Sequence, residues 1–308
     1  MYDKISCTRY CYKLLHHILR KDVSISAMLN HINHVERAQK AGLNIYFIAE
    51  WERDGAIIKH SIVPANPTCN CYSVAKAFVV TAFGILYDKG ILTPNMKVYD
   101  ILGDLFPENA DPTWKKVTLH NVLLHKIGID HDCIDIDNES GESYPSELDY
   151  LGILLSSPLP HQPGTVYRYS DAAYYLLSRV IERACGNNPA ELLRPILMKQ
   201  MKFKEFAWSV CPDGHCIGAT GLYLRTEDML KLGVLYLDKG VWNGCRIISE
   251  KWVDTVLENG YEFTDLGNGW YGKGGLNGQM LAFNYSLDRA IAWHSFDSFS
   301  HTEIIEDK

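Results

Sequence analysis

Apolar positions recur with two periods along this 308-residue chain, and the change of period marks out its elements. Over residues 9 to 40, Tyr12, Leu15, Ile18, Ile25, Met28, Leu29, Ile32 and Val35 fall at helical spacing among basic and polar positions, which predicts one or two amphipathic helices. Residues 43 to 49 are β-branched and aromatic, and the Asp54-Gly55 turn joins them to residues 56 to 63, a pattern that predicts an antiparallel hairpin. From Ser73 the chain is apolar almost all round as far as Leu86, which predicts a helix buried on every side and ended by Gly90. Helical stretches follow at 146 to 156 and 172 to 185, punctuated by Pro158, Pro160 and Pro163-Gly164. Two more, 226 to 239 and 249 to 258, precede strand candidates at 278 to 284 and 289 to 295.

The order of strands, helices and strands predicts an α+β fold, an antiparallel sheet flanked by helices with a mostly helical insert. In this division residues 1–40 form an N-terminal helical segment, residues 41–114 and 216–308 share one sheet, and residues 115–215 are the insert. An active site is expected between the sheet-bearing part and the insert. No internal repeat or low-complexity segment interrupts this order.

Composition narrows the function. A hydrophobic content of 47% and a charged content of 22% are those of a globular chain with a large core. The formal charge of -7, without long runs of one sign, argues against nucleic acid or an anionic membrane as the main partner and leaves a small molecule as the expected one. Oligomeric state is not legible. The nine scattered cysteines do not form the framework of a small disulfide-stapled domain and read as reduced thiols. Cys69-Asn70-Cys71, and His215 between Cys211 and Cys216, depart from paired zinc-ligand spacing, so no metal is expected. The first residues lack an apolar block with a small-residue cleavage site, and no stretch reaches the length of a membrane span, which predicts a cytoplasmic protein.

Three clusters carry candidate chemistry. Ser73 and Lys76 are one helical turn apart, so an amine can reach a hydroxyl that needs help to become a nucleophile. Burial with nearby positive charge is expected to lower the Lys76 pKa and free the amine as a base. The alternative is that Ser73 caps the helix and Lys76 snorkels to solvent. Tyr169, in Tyr169-Ser170-Asp171 at a loop-to-helix junction, is placed to relay a proton, or else packs at a helix start with Asp171 as the cap. Gly272-Lys273-Gly274-Gly275-Leu276 leads into a strand; its glycines let backbone approach a ligand, and Lys273 adds positive charge beside the nucleophile. By itself that run is a glycine-rich turn.

Taken in order, Ser-x-x-Lys opening a buried helix, a Tyr motif in a helical insert and Lys-x-Gly on a late strand resemble the serine beta-lactamase and penicillin-binding-protein superfamily, class C-like branch. The resemblance covers about residues 40 to 296, including Val117 to Gly128, Pro163 to Leu177, and Gly240 to Gly244 with Trp252 beyond it. It implies a beta-lactamase/transpeptidase-like fold and a serine hydrolase that needs no cofactor. Ser73 would be acylated, with Lys76 as general base partner and Tyr169 assisting proton transfer. Lys273 would open the family's Lys-Thr-Gly box, and the backbone amides of Ser73 and Leu276, the latter following Gly275, would bind the oxyanion.

Three departures qualify this picture. Asp171 stands where the family often has Asn, Gly274 replaces the Thr of Lys-Thr-Gly, and Lys126-Ile127 replaces Thr-Ser in a stretch read as structural. The loss of the Thr hydroxyl and of the Asn amide shifts the expectation toward an esterase, amidase or peptidase-like enzyme on a small substrate. A beta-lactamase or D,D-carboxypeptidase is the alternative within this class, and a non-catalytic ligand-binding or acyl-sensing protein the alternative outside it.

Overall fold

The strand-period runs from the two ends of the chain pair with each other. The computed structural model describes residues 24–53, 55–134, 136–137 and 148–305. β1 (Ile45–Glu52) and β2 (Ile58–Ser61) form the expected antiparallel hairpin. β3 (Thr68–Asn70), β4 (Phe206–Trp208) and β5 (Leu222–Arg225) make a small sheet in the order β3-β5-β4, and β6 (Val241–Trp242) pairs with β7 (Cys245–Arg246). β8 (Thr264–Gly267), β9 (Trp270–Gly275), β10 (Gln279–Asn284) and β11 (Arg289–Ser295) complete a six-stranded sheet ordered β2-β1-β11-β10-β9-β8. All its neighbours are antiparallel, and β1 lies directly against β11, with Ile48 opposite Trp293. This is the α+β arrangement that the sequence predicts, an antiparallel sheet joining the two ends of the chain.

The periodicity offered no strand over β8 and β9, and the run 272 to 275 taken by itself was a glycine-rich turn; the strand agrees with the late strand that the resemblance implied. Lys273 sits inside β9, paired across to Leu281. Glycines carry no side chain, so the run offered no alternation from which a strand could be read.

The principal helices are α1 (Ile25–Lys40), α2 (Ala75–Asp88), α3 (Tyr150–Ser156), α4 (Asp171–Cys185), α5 (Thr226–Leu237) and α6 (Glu250–Asn259). The part of the N-terminal helical prediction before residue 24 lies outside the described residues, as do residues 146 and 147 of the third stretch. α5 covers one face of the sheet against β1, β10 and β11. α2 is buried at every position from Ala75 to Leu86, as its unbroken apolar run requires, and packs on α4 and α6. Its crossing with α6 is close because position 84 is glycine. A Cβ there would lie 2.2 Å from Trp252, whose indole N–H donates to the Val80 carbonyl at 3.2 Å.

α1 is capped by Ser24 and docks on β1 through a polar cluster. His31 Nδ1 and His34 Nδ1 meet the two oxygens of buried Glu50 at 2.7 and 2.8 Å, and Arg289 reaches the second oxygen at 3.3 Å. Burial pushes the Glu50 carboxyl up, but His34 and His31 outweigh it and bring its pKa down to about 2. The helix is thus pinned by a desolvated ion cluster as well as by Ala27, Met28, Val35 and Ala38 in its buried stripe. Among the described residues no helix is long and apolar enough to cross a membrane.

Candidate active site

Ser73 lies in a 3-10 turn, Tyr72–Val74, that leads directly into α2. The turn is tight: Tyr72 has φ +46°, and the Val74 N–H donates to Cys71 O at 3.1 Å. Ser73 does not cap α2 and Lys76 does not snorkel. The turn has no side-chain cap, and the Lys76 side chain is 0% exposed. The ammonium instead donates to Ser73 Oγ at 2.9 Å, Asp171 Oδ1 at 2.6 Å and Ala219 O at 3.0 Å, which uses all three of its protons.

This environment reverses one sequence expectation. Burial pulls the Lys76 pKa down, but Asp171, followed by Tyr169 and Glu262, more than offsets it, and the net shift is upward. The charge facing Lys76 from α4 is negative, where the sequence reading expected nearby positive charge. Lys76 is therefore held as an ammonium.

Tyr169 arrives from the opposite side, at the end of the loop that begins at Pro163, and its hydroxyl donates to Ser73 Oγ at 2.7 Å. The helix that follows is capped by Ser170, whose hydroxyl accepts from Ala173 N. Asp171 is thus free of capping duty and turns toward Lys76. Asp132 secures this junction: it accepts from Ser170 Oγ at 2.9 Å and from the N–H groups of Asp171 and Ala172 at 2.5 and 3.3 Å. A carboxylate on the first turn of a helix complements both its orphan donors and its dipole.

The phenol ring is held by His125. Arg168 N donates to His125 O at 2.8 Å and Ser170 N to His125 Nδ1 at 3.2 Å, so two bonds bracket Tyr169. The imidazole lies against the Tyr169 ring with centroids 4.6 Å apart. Since Nδ1 accepts a hydrogen bond from the Ser170 N–H, Nε2 carries the ring hydrogen and donates to Glu262 Oε1 at 2.7 Å. The other oxygen of Glu262 pairs with Lys273 Nζ. Burial pushes the Glu262 carboxyl up, but Lys273 and then His125 outweigh it and hold it well below the usual range. Lys76 and Lys273 both place their ammonium groups over the Tyr169 ring, 4.8 and 5.1 Å from its centroid.

The end of β9 closes the site from the sheet side. A Cβ on Gly275 would lie 2.6 Å from Cys71 O and 3.3 Å from Ser73 N, so only glycine lets this strand come so near the turn that bears Ser73. Gly275 and Leu276 border a cavity of about 700 Å3 together with Ser73, Tyr169, Asp171 and Lys273. Met280, Trp293 and Phe299 give its sheet side an apolar character.

All seven residues singled out in the sequence thus meet around one cavity, six of them on its lining and Lys76 directly behind Ser73. The sequence reading missed three others, His125, Glu262 and Asp132. His125 lies within the family-like stretch Val117 to Gly128 and was open to recognition there, whereas Glu262 and Asp132 stand in no motif. Among the described residues no three His, Cys, Asp or Glu side chains converge as metal ligands. His215 is engaged with Glu182 at 2.9 Å, and Cys211 accepts from Tyr175 at 3.3 Å.

The family model described as Beta-lactamase matches residues 63–303. A 6-aminohexanoate-dimer hydrolase of Paenarthrobacter ureafaciens is 26% identical over 200 residues, 61% of this chain and 50% of that protein. The chain thus spans about half the length of this curated relative. Among solved structures, a putative 6-aminohexanoate-dimer hydrolase from Bacillus anthracis superposes with a TM-score of 0.71 at 16% identity, over 87% of this chain and 78% of that one. A penicillin-binding protein from Bacillus halodurans gives 0.65 at 17% identity, over 88% and 97%.

Proposed function

The chain belongs to the beta-lactamase family, and on that footing we propose that it is a serine hydrolase that forms an acyl-enzyme on Ser73 and hydrolyses a small ester or amide. The observation that carries this reading is the double hydrogen bond on Ser73 Oγ, from Lys76 at 2.9 Å and Tyr169 at 2.7 Å, at the edge of an open cavity. The relative named as a 6-aminohexanoate-dimer hydrolase agrees with it.

Because Lys76 is held as an ammonium, the proton of Ser73 goes to Tyr169. Ser73 Oγ attacks the substrate carbonyl carbon and passes its proton to the Tyr169 oxygen, while Tyr169 gives its own proton to the leaving oxygen or nitrogen. The carbonyl π pair moves onto oxygen, facing the backbone amides of Ser73 and Leu276, and returns as the bond to the leaving group breaks. Water then repeats the sequence in reverse: it loses a proton to Tyr169, Tyr169 returns one to Ser73 Oγ, and the acid departs. Lys76 favours the negative charge that builds on Oγ as the proton leaves, and the Lys76 and Lys273 ammoniums over the ring favour the phenolate character that Tyr169 takes on as its own proton moves to the leaving group ahead of the one arriving from Ser73. Asp171 serves by keeping Lys76 charged.

A fluorophosphonate probe read by intact-mass spectrometry tests the assignment. One adduct is expected on the wild-type protein and none on Ser73→Ala; an adduct that survives the substitution refutes Ser73 as nucleophile. A short nitrophenyl ester followed over time separates a hydrolase from an acyl sensor. Repeated turnover supports the proposal, and a permanent stoichiometric adduct overturns it.

A further inference from the structure

Lys273 is the one basic side chain among the described residues lining the cavity, and Asp132, Asp137 and Asp171 line it as well. An ammonium in this position is the natural anchor for a substrate carboxylate. Here, however, it is already paired with Glu262, and the pair is well buried, with side chains 10% and 2% exposed. Glu262 has no oxygen to spare, since the other accepts from His125 Nε2. It also holds a left-handed backbone conformation, φ +66°, which a side chain adopts at a cost and which surrounding contacts must maintain. Next to Lys273, Gly274 lacks any hydroxyl to share an anion. Space does not demand glycine there: a Cβ would meet Met280 only at 3.6 Å and Gln279 O at 3.7 Å.

Resting on the serine-hydrolase reading, we propose that Glu262 is the positioning and specificity-determining residue of this site. It engages the charge of Lys273 internally and braces His125 under Tyr169, so that the cleft accepts uncharged acyl groups and discriminates against those ending in a carboxylate. Lys273 supports the Tyr169 ring and is withdrawn from substrate binding. A substrate carboxylate entering the cavity would have to compete with a desolvated carboxylate already in contact, and would face three aspartates while doing so.

The test compares 4-nitrophenyl butyrate with the half-ester of glutaric acid and 4-nitrophenol, an acyl group of similar length ending in a carboxylate. Wild-type protein is expected to show a KM for the glutarate at least about tenfold above that for the butyrate. Glu262→Gln keeps the side-chain shape and removes the charge. It should lower the glutarate KM about tenfold relative to the butyrate KM, and reduce kcat on both esters as Tyr169 loses its brace. Glu262→Asp restores the charge and should restore the wild-type preference. A purely structural role for Glu262 would instead move both esters together, and an unchanged KM ratio in a Glu262→Gln protein of native circular dichroism overturns the proposal. Should that variant not fold, the wild-type ratio decides, since a glutarate KM equal to or below that of butyrate overturns the proposal by itself. Where an ester is not turned over, its affinity is read from protection of Ser73 against the fluorophosphonate. Absence of any Ser73 adduct on the wild type overturns the serine-hydrolase reading and this proposal with it, whereas an adduct with the wrong ratio overturns this proposal alone.

Discussion

Glu50 and Glu262 are both buried carboxylates that bind histidine and a cation: Glu50 holds His31, His34 and Arg289, and Glu262 holds His125 and Lys273. Both are driven down in pKa by those partners against the opposing effect of burial. What differs is where the partners lead. The histidines on Glu50 belong to α1 and end in a helix docked on a sheet. The partners of Glu262 end on the Tyr169 ring, one by stacking and one by cation–π contact, and Tyr169 ends on Ser73. The same local chemistry therefore fastens the fold at one place and is proposed to organise a reaction at the other. A buried His–Glu–cation cluster identifies neither role until its next neighbours are known.

The largest expected effect separates the two regions at the reacting atoms. Tyr169→Phe should reduce kcat/KM on a nitrophenyl ester by roughly 10^2-fold or more with the melting curve little changed. Retention of most activity would remove Tyr169 from the proton path and weaken the contrast.

Glu50→Ala makes the opposite prediction. Breaking a buried ion cluster by removing its centre should cost ~3 kcal/mol in urea unfolding and leave kcat of the folded protein unchanged. A lowered kcat would show that the α1 cluster reaches the site after all.

Acid should weaken the fold in two stages, at His294 and then at the Glu50 cluster. His294, buried beside Thr226, has its pKa lowered by desolvation to about 4, below an unfolded value of ~6.5. Its contribution is full above that unfolded value and is lost as pH falls through about 4. The Glu50 contribution is full above ~4.5 and is lost as pH falls toward about 2. Stability measured against pH should decline through both windows by on the order of 2 kcal/mol or more. In His294→Gln the upper window should disappear and the lower remain; two unchanged windows would contradict the assignment.

The smallest effect sharpens the role of Lys76. Asp171→Asn removes the anion that contributes most to raising the Lys76 pKa, and with burial then less opposed the pKa is expected to fall. If catalysis uses the ammonium, the alkaline limb of kcat/KM moves to lower pH and the rate near pH 8 falls by about tenfold. A rate that rises in the variant would make Lys76 the base.

How much of this was legible in the chain follows from how local each signal is. Periodicity along 45–61, 75–88 and 279–295 gave the hairpin, the buried helix and the last two strands, because burial on one face or all faces leaves its mark in every successive residue. The pair Ser73 and Lys76 was legible because one helical turn determines their proximity. Tyr169 and Lys273 were found through ordered motifs. That they converge was decided by β1 pairing with β11 and by α4 packing on α2, contacts between residues up to 250 positions apart.

Charge state was the least legible. The sequence determined that a lysine one turn after Ser73 would be buried, and its own neighbours favoured a neutral amine. Only the tertiary structure brought Asp171 within 2.6 Å of Lys76 and placed Glu262, which stands in no motif, against Lys273. Burial is written in local apolarity, whereas the sign of the charge that a buried group meets depends on which distant segment folds against it. That is why the chain by itself indicated the residues of the proposed site, and the fold decided which groups carry charge there.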